Sequence, residues 1–286
     1  MYGEKRKILS TTISQLIQEN YTIESIRDRV QQALQKAGLG TGPLRWSDLV
    51  MFDQFHVRGL EATKEMAKDL QLQNGQTVLD VGSGWGGPAR YLAAVHAVHV
   101  TGIDLTSDFV EISTYLSQRA GLTDMLNFKQ GDATALPFPE ETFDVVWTQH
   151  VAMNIQDKAK LYHGFHRVLK RSGKLALYDA IQGSNQPVLY PTPWARDEGI
   201  SFLATEGQIK DVLTEVGFKN LAIIDKTERA AQWFRDLRQQ QLSQKTPEPL
   251  SPLLILGPEM GPAIANFAQN VLEGRVRILQ VIAEKA

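Results

Sequence analysis

Thr77-Val78-Leu79-Asp80-Val81-Gly82-Ser83-Gly84-Trp85-Gly86-Gly87 is the stretch on which the reading of this chain turns. Val78, Leu79 and Val81 form the short apolar run of a buried strand, and the glycines after them let backbone come close to a bound molecule. Pro88 suits the first turn of a helix. The stretch therefore predicts a strand, a tight turn and a helix, with backbone N–H groups aimed at a ligand.

Gly82, Gly84 and Gly87 keep the spacing G-x-G-x-x-G of turns that hold a dinucleotide, so a nicotinamide-dependent oxidoreductase is one reading. Asp80 favours another. A carboxylate at the carboxyl end of the strand repels a pyrophosphate and attracts an ammonium group, such as the one on the methionine half of S-adenosyl-L-methionine. The run Ala97 to Ile103 predicts a second strand ending at Asp104, about twenty residues past the glycines, where an acid accepts from ribose hydroxyls. Asp132, after a strand near 125–129, is placed to accept from an adenine amino group. Each acid alone reads as a capping residue; in this order the three describe a nucleoside site.

Four segments together resemble successive motifs of class I S-adenosylmethionine-dependent methyltransferases: Val78 to Gly87, Gly102-Ile103-Asp104-Leu105, Gly131-Asp132-Ala133 and Phe143-Asp144-Val145-Val146-Trp147. The resemblance runs from about Asp53 to Phe218. It is nearest to small-molecule enzymes: sarcosine/dimethylglycine and phosphoethanolamine N-methyltransferases and sugar O-methyltransferases. It implies an α/β fold, a doubly wound, mostly parallel seven-stranded Rossmann-like sheet. The implied parts are a helical N-terminal extension (1–50), a cofactor-binding core (51–225), an inserted lid or cap (226–275) and a last core strand (276–286).

The resemblance also implies roles. Asp80, Gly82, Ser83 and Gly84 would hold the methionine end of the cofactor, with Gln149 on the same portion. Asp104 and Leu105 would hold the ribose, and Asp132 with Ala133 the adenine. Gln54 and His56 precede Gly59-Leu60-Glu61-Ala62-Thr63, and the equivalent segment of the amine methyltransferases closes over the cofactor.

Methyl transfer is an in-line displacement, so an acceptor must be held close and relieved of a proton. Histidine titrates near neutrality, and His150, just past the fourth strand, is the first candidate for base or positioner. The amine enzymes commonly carry aspartate there and a histidine four residues later, where this chain has Asn154. Asp179, closing the fifth strand, matches an acid near the acceptor in sugar O-methyltransferases, and it equally suits capping of the next loop. Tyr190, Trp194 and Arg196 on that loop would suit an acceptor bearing an acid group.

Composition bounds the alternatives. The 286 residues, 43% hydrophobic, are long enough for one large α/β domain with appendages or for two small domains. Lys and Arg number 30 against 32 Asp and Glu, with no basic stripe to track a phosphate backbone, so a nucleic-acid partner is not expected. Cysteine is absent, which removes disulfides, thiolate metal sites and the cysteine-dependent arsenite methyltransferases. No run reaches the eighteen or so apolar residues of a membrane span, and Glu4 to Lys7 do not lead into a signal peptide. The expectation is a cytoplasmic enzyme with a small-molecule acceptor and no metal; a cofactor-binding module without turnover is the third reading.

Around the core, helical patterns cover Ile8 to Asn20 and Thr22 to Ala37, with Thr22 as N-cap and Gly38 as stop. Further helices are expected over Ser107 to Ala120 and Asp157 to Lys170. Strands are expected over Phe143 to Thr148, Lys174 to Asp179, Phe218 to Asp225 and Val276 to Ile282. The roughly fifty residues between the last two are too many for a hairpin and carry Trp233, Phe234, Leu237, Ile264 and Phe267, with a proline-rich joint from Thr246 to Pro262.

Overall fold

The strand at the head of the quoted stretch, β1 (Thr77–Val81), is buried from Val78 onward and lies inside the sheet, as an unbroken apolar run requires. In this computed structural model, which describes residues 13–21, 26–243, 257 and 260–286, seven strands form one sheet in the order β3-β2-β1-β4-β5-β7-β6. The others are β2 (His99–Asp104), β3 (Leu126–Gln130), β4 (Phe143–Gln149), β5 (Leu169–Gln182), β6 (Phe218–Asp225) and β7 (Val276–Lys285). The first five pair in parallel, and β7 runs antiparallel to both β5 and β6.

This order reverses direction at β1. The chain steps outward through β2 and β3, then returns to lay β4 on the other side of β1. Such a switch point opens a crevice beyond the carboxyl ends of the two strands, and Gly82 and His150 follow those two ends directly.

Helices cover both faces. The α1 helix spans 13–21, followed by α2 (Ile26–Lys36), the short α3 (Val50–Asp53) and α4 (Gly59–Leu70). Then come α5 (Gly87–His96), α6 (Ser107–Arg119), α7 (Lys158–Val168), α8 (Glu206–Val216), α9 (Thr227–Ser243) and α10 (Met260–Leu272). Side chains alternate across the sheet. Val78, Trp147, Tyr178 and Ile278 pack with Met66 of α4 and Leu92 of α5 on one face. Leu79, Val146, Leu177 and Leu279 pack with Leu161 of α7 and Leu213 of α8 on the other. A third cluster joins Val30 and Leu34 of α2 to Trp85 and Ile112.

Several boundaries differ from the sequence expectation. The helix expected to reach Lys170 ends at Val168, and β5 begins at Leu169, well before Lys174, because Phe143 already pairs with Leu169 ahead of a register shift. The last strand runs on to Lys285, pairing with Phe218. Thr22 and most of Thr246 to Pro262 lie outside the described residues, as does the start of the first expected helix. Gly38 adopts the left-handed conformation of a helix stop, with φ of 76°.

Candidate active site

Beyond the ends of β1 and β4 lies a cavity of about 1380 Å³. A single small ligand takes roughly 300–1,000 Å³, so there is room for two molecules side by side. One end is polar and one apolar.

The glycine turn forms the floor of the polar end. Gly82 has φ of 69°, and a Cβ there would collide with the Val151 side chain, so only glycine fits. At Gly87 a Cβ would run into the Asp53 carbonyl, which lets α3 close on the start of α5. Asp104 accepts from Gly84 N at 2.8 Å and from Thr106 N at 2.9 Å, so one carboxylate ties the turn to the end of β2. Each of its oxygens keeps a further lone pair for a ligand. Burial raises its pKa and the backbone donors oppose that. Asp132 accepts from Thr134 N at 2.7 Å, capping the turn Ala133–Ala135, and it lines the cavity with Asp104, Leu105 and Ala133.

Between the ends, α4 and β4 build a network of hydrogen bonds. Thr63 Oγ1 donates to Gln54 Oε1 at 2.9 Å and receives His56 Nε2 at 3.1 Å; Trp147 Nε1 donates to Gln149 Oε1 at 2.9 Å. With both amide oxygens occupied, the Gln54 and Gln149 amide nitrogens are buried without an acceptor. Ser83 Oγ and Asp80 Oδ2 are likewise buried and unpartnered. Burial, with Asp104 adding repulsion, pushes the Asp80 carboxyl up to about 7.

Unsatisfied buried polar groups are costly and call for a partner. Two amide donors and a hydroxyl, with orphaned carboxylate oxygens on Asp80 and Asp53, suit a zwitterion, its carboxylate matched to the donors and its ammonium to the field of Asp80. The methionine portion of S-adenosylmethionine has that pattern. Asp80 sits behind the glycine turn and is not itself a wall of the cavity, so its field and Oδ2 act from beneath.

His56 and His150 meet at the junction with the apolar end, their ring centroids 6.5 Å apart, with Tyr178 6.3 Å from the first and 5.6 Å from the second. The backbone of His150 is left-handed, with φ of 55°, while its N–H still donates to Tyr178 O at 2.8 Å. That twist costs roughly 1–2 kcal/mol in an L residue and turns the ring off the strand.

The neighbours determine the tautomers. His150 Nε2 accepts from Val57 N at 3.3 Å, so a neutral ring carries its proton on Nδ1, which is buried without a partner. His56 Nε2 lies 2.9 Å from Gly59 O, an acceptor, so it carries the proton there and its lone pair is on Nδ1. Burial lowers the pKa of His56 to about 4 and that of His150 to about 3, so both rings are neutral at pH 7.

Three of the expected acceptor residues do not line the cavity. Asp179 accepts from Ala152 N at 2.7 Å and is not a wall of the cavity. In β5 it alternates with Tyr178 and faces the α7 side, so the acid expected beside the acceptor holds the loop after His150 instead. Arg196 is exposed, 3.5 Å from Asp197 and outside the cavity, so it is no clamp for an acid group. Tyr190 likewise does not line it. Trp194 does, buried and edge-on to Phe267 at 4.9 Å.

Thr63 and Tyr178 are the residues that sequence reasoning missed. Thr63 closed the quoted run Gly59 to Thr63, and Tyr178 pairs in register with Gln149. Asn154, the departure from the amine enzymes, donates to Trp194 O at 2.8 Å and accepts from Tyr21 at 3.0 Å, binding α1 and the loop after β5 to the site.

Residues 79–177 match a family model described as a methyltransferase domain. Phosphoethanolamine N-methyltransferase 1 of Arabidopsis thaliana is 32% identical over 176 residues, 61% of this chain and 35% of that protein. Sterol 24-C-methyltransferase of Pneumocystis carinii is 29% identical over 154 residues, 52% of this chain and 41% of that protein. The chain thus spans well under half the length of these relatives. Haemonchus contortus phosphoethanolamine N-methyltransferase 2, solved with S-adenosyl-L-methionine, superposes with a TM-score of 0.69 at 18% identity, covering 92% of this chain and 60% of that one. The fold is shared with it. Residues 79–177 of this chain thus match a methyltransferase domain, and the seven-stranded sheet around them has the fold of the solved methyltransferase above.

Proposed function

We propose that this chain transfers a methyl group from S-adenosyl-L-methionine to the oxygen or nitrogen of a small-molecule acceptor. The observation that carries the reading is the orphaned polar set around the glycine turn, which complements an amino acid zwitterion next to a nucleoside-shaped row of acids. A nicotinamide would leave Asp80 facing phosphate, and no second nucleotide half is present among the described residues. The match of residues 79–177 to a methyltransferase domain supports the same choice.

In this reading Asp80, Ser83, Gln54 and Gln149 hold the methionine portion, with Gly82 and Gly84 shaping the turn beneath it. Asp104 and Leu105 hold the ribose, and Asp132 with Ala133 the adenine. The bound cofactor supplies an electrophilic methyl on a cationic sulfur. His56 takes the acceptor's proton on Nδ1 as the acceptor's lone pair forms the new bond to carbon. The electrons of the broken carbon–sulfur bond stay on sulfur, so the products are the methylated acceptor, S-adenosylhomocysteine and a proton. His150 donates Nδ1–H to a second lone pair or polar atom of the acceptor and orients it. Asp179 acts through the loop it holds and is a positioning residue.

Among the described residues, α9 and α10 of the insertion serve as a lid over the acceptor, with α1 of the N-terminal extension adding to the same cavity wall. Trp233, Phe234 and Phe267 line the cavity from α9 and α10, and Ile13 and Ile17 line it from α1, which supports that division. A cytoplasmic location belongs to the same reading, as does a lack of nucleic-acid affinity, which the net charge of −2 supports. Titrating S-adenosylhomocysteine and NADH separately into the protein tests it. Micromolar affinity for the first and none for the second is expected; the reverse would overturn the assignment.

A further inference from the structure

The apolar end of the cavity has a composition that the phosphoethanolamine relatives do not explain. Next to His150, Phe267 stands edge-on at 6.0 Å, Trp194 packs on Phe267 at 4.9 Å and Phe234 on Phe267 at 5.5 Å. Leu60, Trp233, Leu237 and Ile264 complete the wall and remain only half-buried, their uncovered area turned toward a cavity. Apolar surface gathered this way marks a binding site.

The cations at that end, Arg229 on Glu65 included, have hydrogen-bond partners. Arg58 donates to both oxygens of Glu65, at 2.9 and 2.6 Å, and Lys226 reaches the same carboxylate at 3.1 Å. Lys158 Nζ donates to the carbonyls of Ile155 and Phe202 at 2.5 and 2.6 Å. Lys160 stands exposed on α7, which packs on the Ala133–Ala135 turn at the polar end. Of the acids, Asp53 pairs through Oδ2 with the buried Arg90 at 2.9 Å, and its unpartnered Oδ1 lies beside Gly87 of the glycine turn; Asp157 caps α7, and Asp104 and Asp132 lie at the polar end. His56 and His150 are hydrogen-bonded to neutral backbone.

At the apolar end, then, each described cation already has a hydrogen-bond partner, and the two acids with an unpartnered oxygen, Asp53 and Asp80, belong to the region of the glycine turn instead. The geometry points to an uncharged, largely apolar acceptor, a ring or branched hydrocarbon skeleton carrying one nucleophilic hydroxyl, with the skeleton against Phe234, Phe267 and Ile264 and the hydroxyl at the two histidines. This rests on the methyl-transfer reading above. Burying a charged group there without a partner is what excludes the alternatives, because that cost exceeds anything the aromatic faces return.

The test uses one skeleton with three head groups: naphthylethanol, its phosphate monoester and naphthylethylamine. Each is titrated into the full chain loaded with S-adenosylhomocysteine, and each is then incubated with S-adenosylmethionine and read by mass spectrometry. The alcohol is expected to bind at least tenfold tighter than either charged partner and to be the one that gains a methyl group. Ile264→Asp and Leu237→Asp, both at half-buried positions, are expected to weaken the alcohol at least tenfold while leaving S-adenosylhomocysteine affinity unchanged. Preference for the phosphate or the amine, or no binding of any of the three to a protein that does bind S-adenosylhomocysteine, overturns the inference and leaves methyl transfer standing. Failure to bind S-adenosylhomocysteine overturns both.

Discussion

The two ends of the cavity were built by different rules. At the polar end, single residues at or near strand termini form the wall: Asp104 ties the glycine turn to the end of β2 and lines the cavity, and the acids come at or just after the carboxyl ends of β1, β2 and β3 in sequence order. At the apolar end the walls come from α1, α4, the loop after β5, α9 and α10, brought together only by the tertiary fold. The first kind of site is local and shows in a linear text. The second is a consequence of folding, and its chemistry is the absence of uncommitted charge, which no short motif encodes.

The contrast predicts which substitutions disturb which end. The largest effect is expected at the junction: His56→Ala should lower turnover about a hundred- to thousandfold, the usual weight of a positioned base, with S-adenosylhomocysteine affinity within threefold. Single-turnover kinetics and calorimetry measure the two separately, and equal losses in both would make His56 structural. Because burial holds His56 near a pKa of about 4, the acid limb of the rate should fall below the ordinary histidine range near 6.5, at roughly pH 4 to 5. An inflection at 6.5 would mean that the ring is solvated in the working enzyme.

Next in size, Asp104→Ala should weaken S-adenosylhomocysteine by about a hundredfold, near 3 kcal/mol, the scale of charge-assisted hydrogen bonds to a ribose. Unchanged affinity would move the ribose elsewhere. Smaller still, Asp179→Asn should lower the melting temperature by several degrees, a change of about 1 kcal/mol, through its bond to Ala152 N, and lower turnover only as the His150 loop loosens. A loss of turnover as large as that of His56→Ala would return Asp179 to the chemistry. Arg196→Ala should change neither acceptor KM nor stability measurably, since its partner is a neighbouring exposed acid.

The sheet and most of the polar end were legible because each rests on short-range chemistry. The buried run at Val78 to Val81, the glycines and the acids after the strands all sit where the motif places them. Asp179 shows where that reasoning stops. Its place at the end of a strand was right, but facing is set by alternation along β5, and one position decides whether a side chain meets the cavity or the α7 side. The loop aromatics divided likewise. Trp194 reaches the cavity because Asn154 anchors its carbonyl, a bond across forty residues of sequence, while Arg196, two residues on, points to solvent. The left-handed turn at His150 and the tautomers of both histidines depend on Val57, Gly59 and Tyr178, none of them adjacent to both rings in sequence.

Asp80 carries the account, since it is the carboxylate that distinguishes a zwitterion site from a pyrophosphate site. In the free protein burial holds its pKa near about 7, above that of an exposed acid, so near neutrality it is partly protonated. Binding a fixed ammonium lowers that pKa and expels the proton. Calorimetric titration of S-adenosylhomocysteine between about pH 6 and pH 8, in buffers of different ionisation heat, reads this directly. The account predicts that affinity rises with pH across that window with proton release, and that Asp80→Asn binds more weakly and without pH dependence. Equal affinity at all pH values in both proteins, or NADH binding in place of S-adenosylhomocysteine, would contradict it.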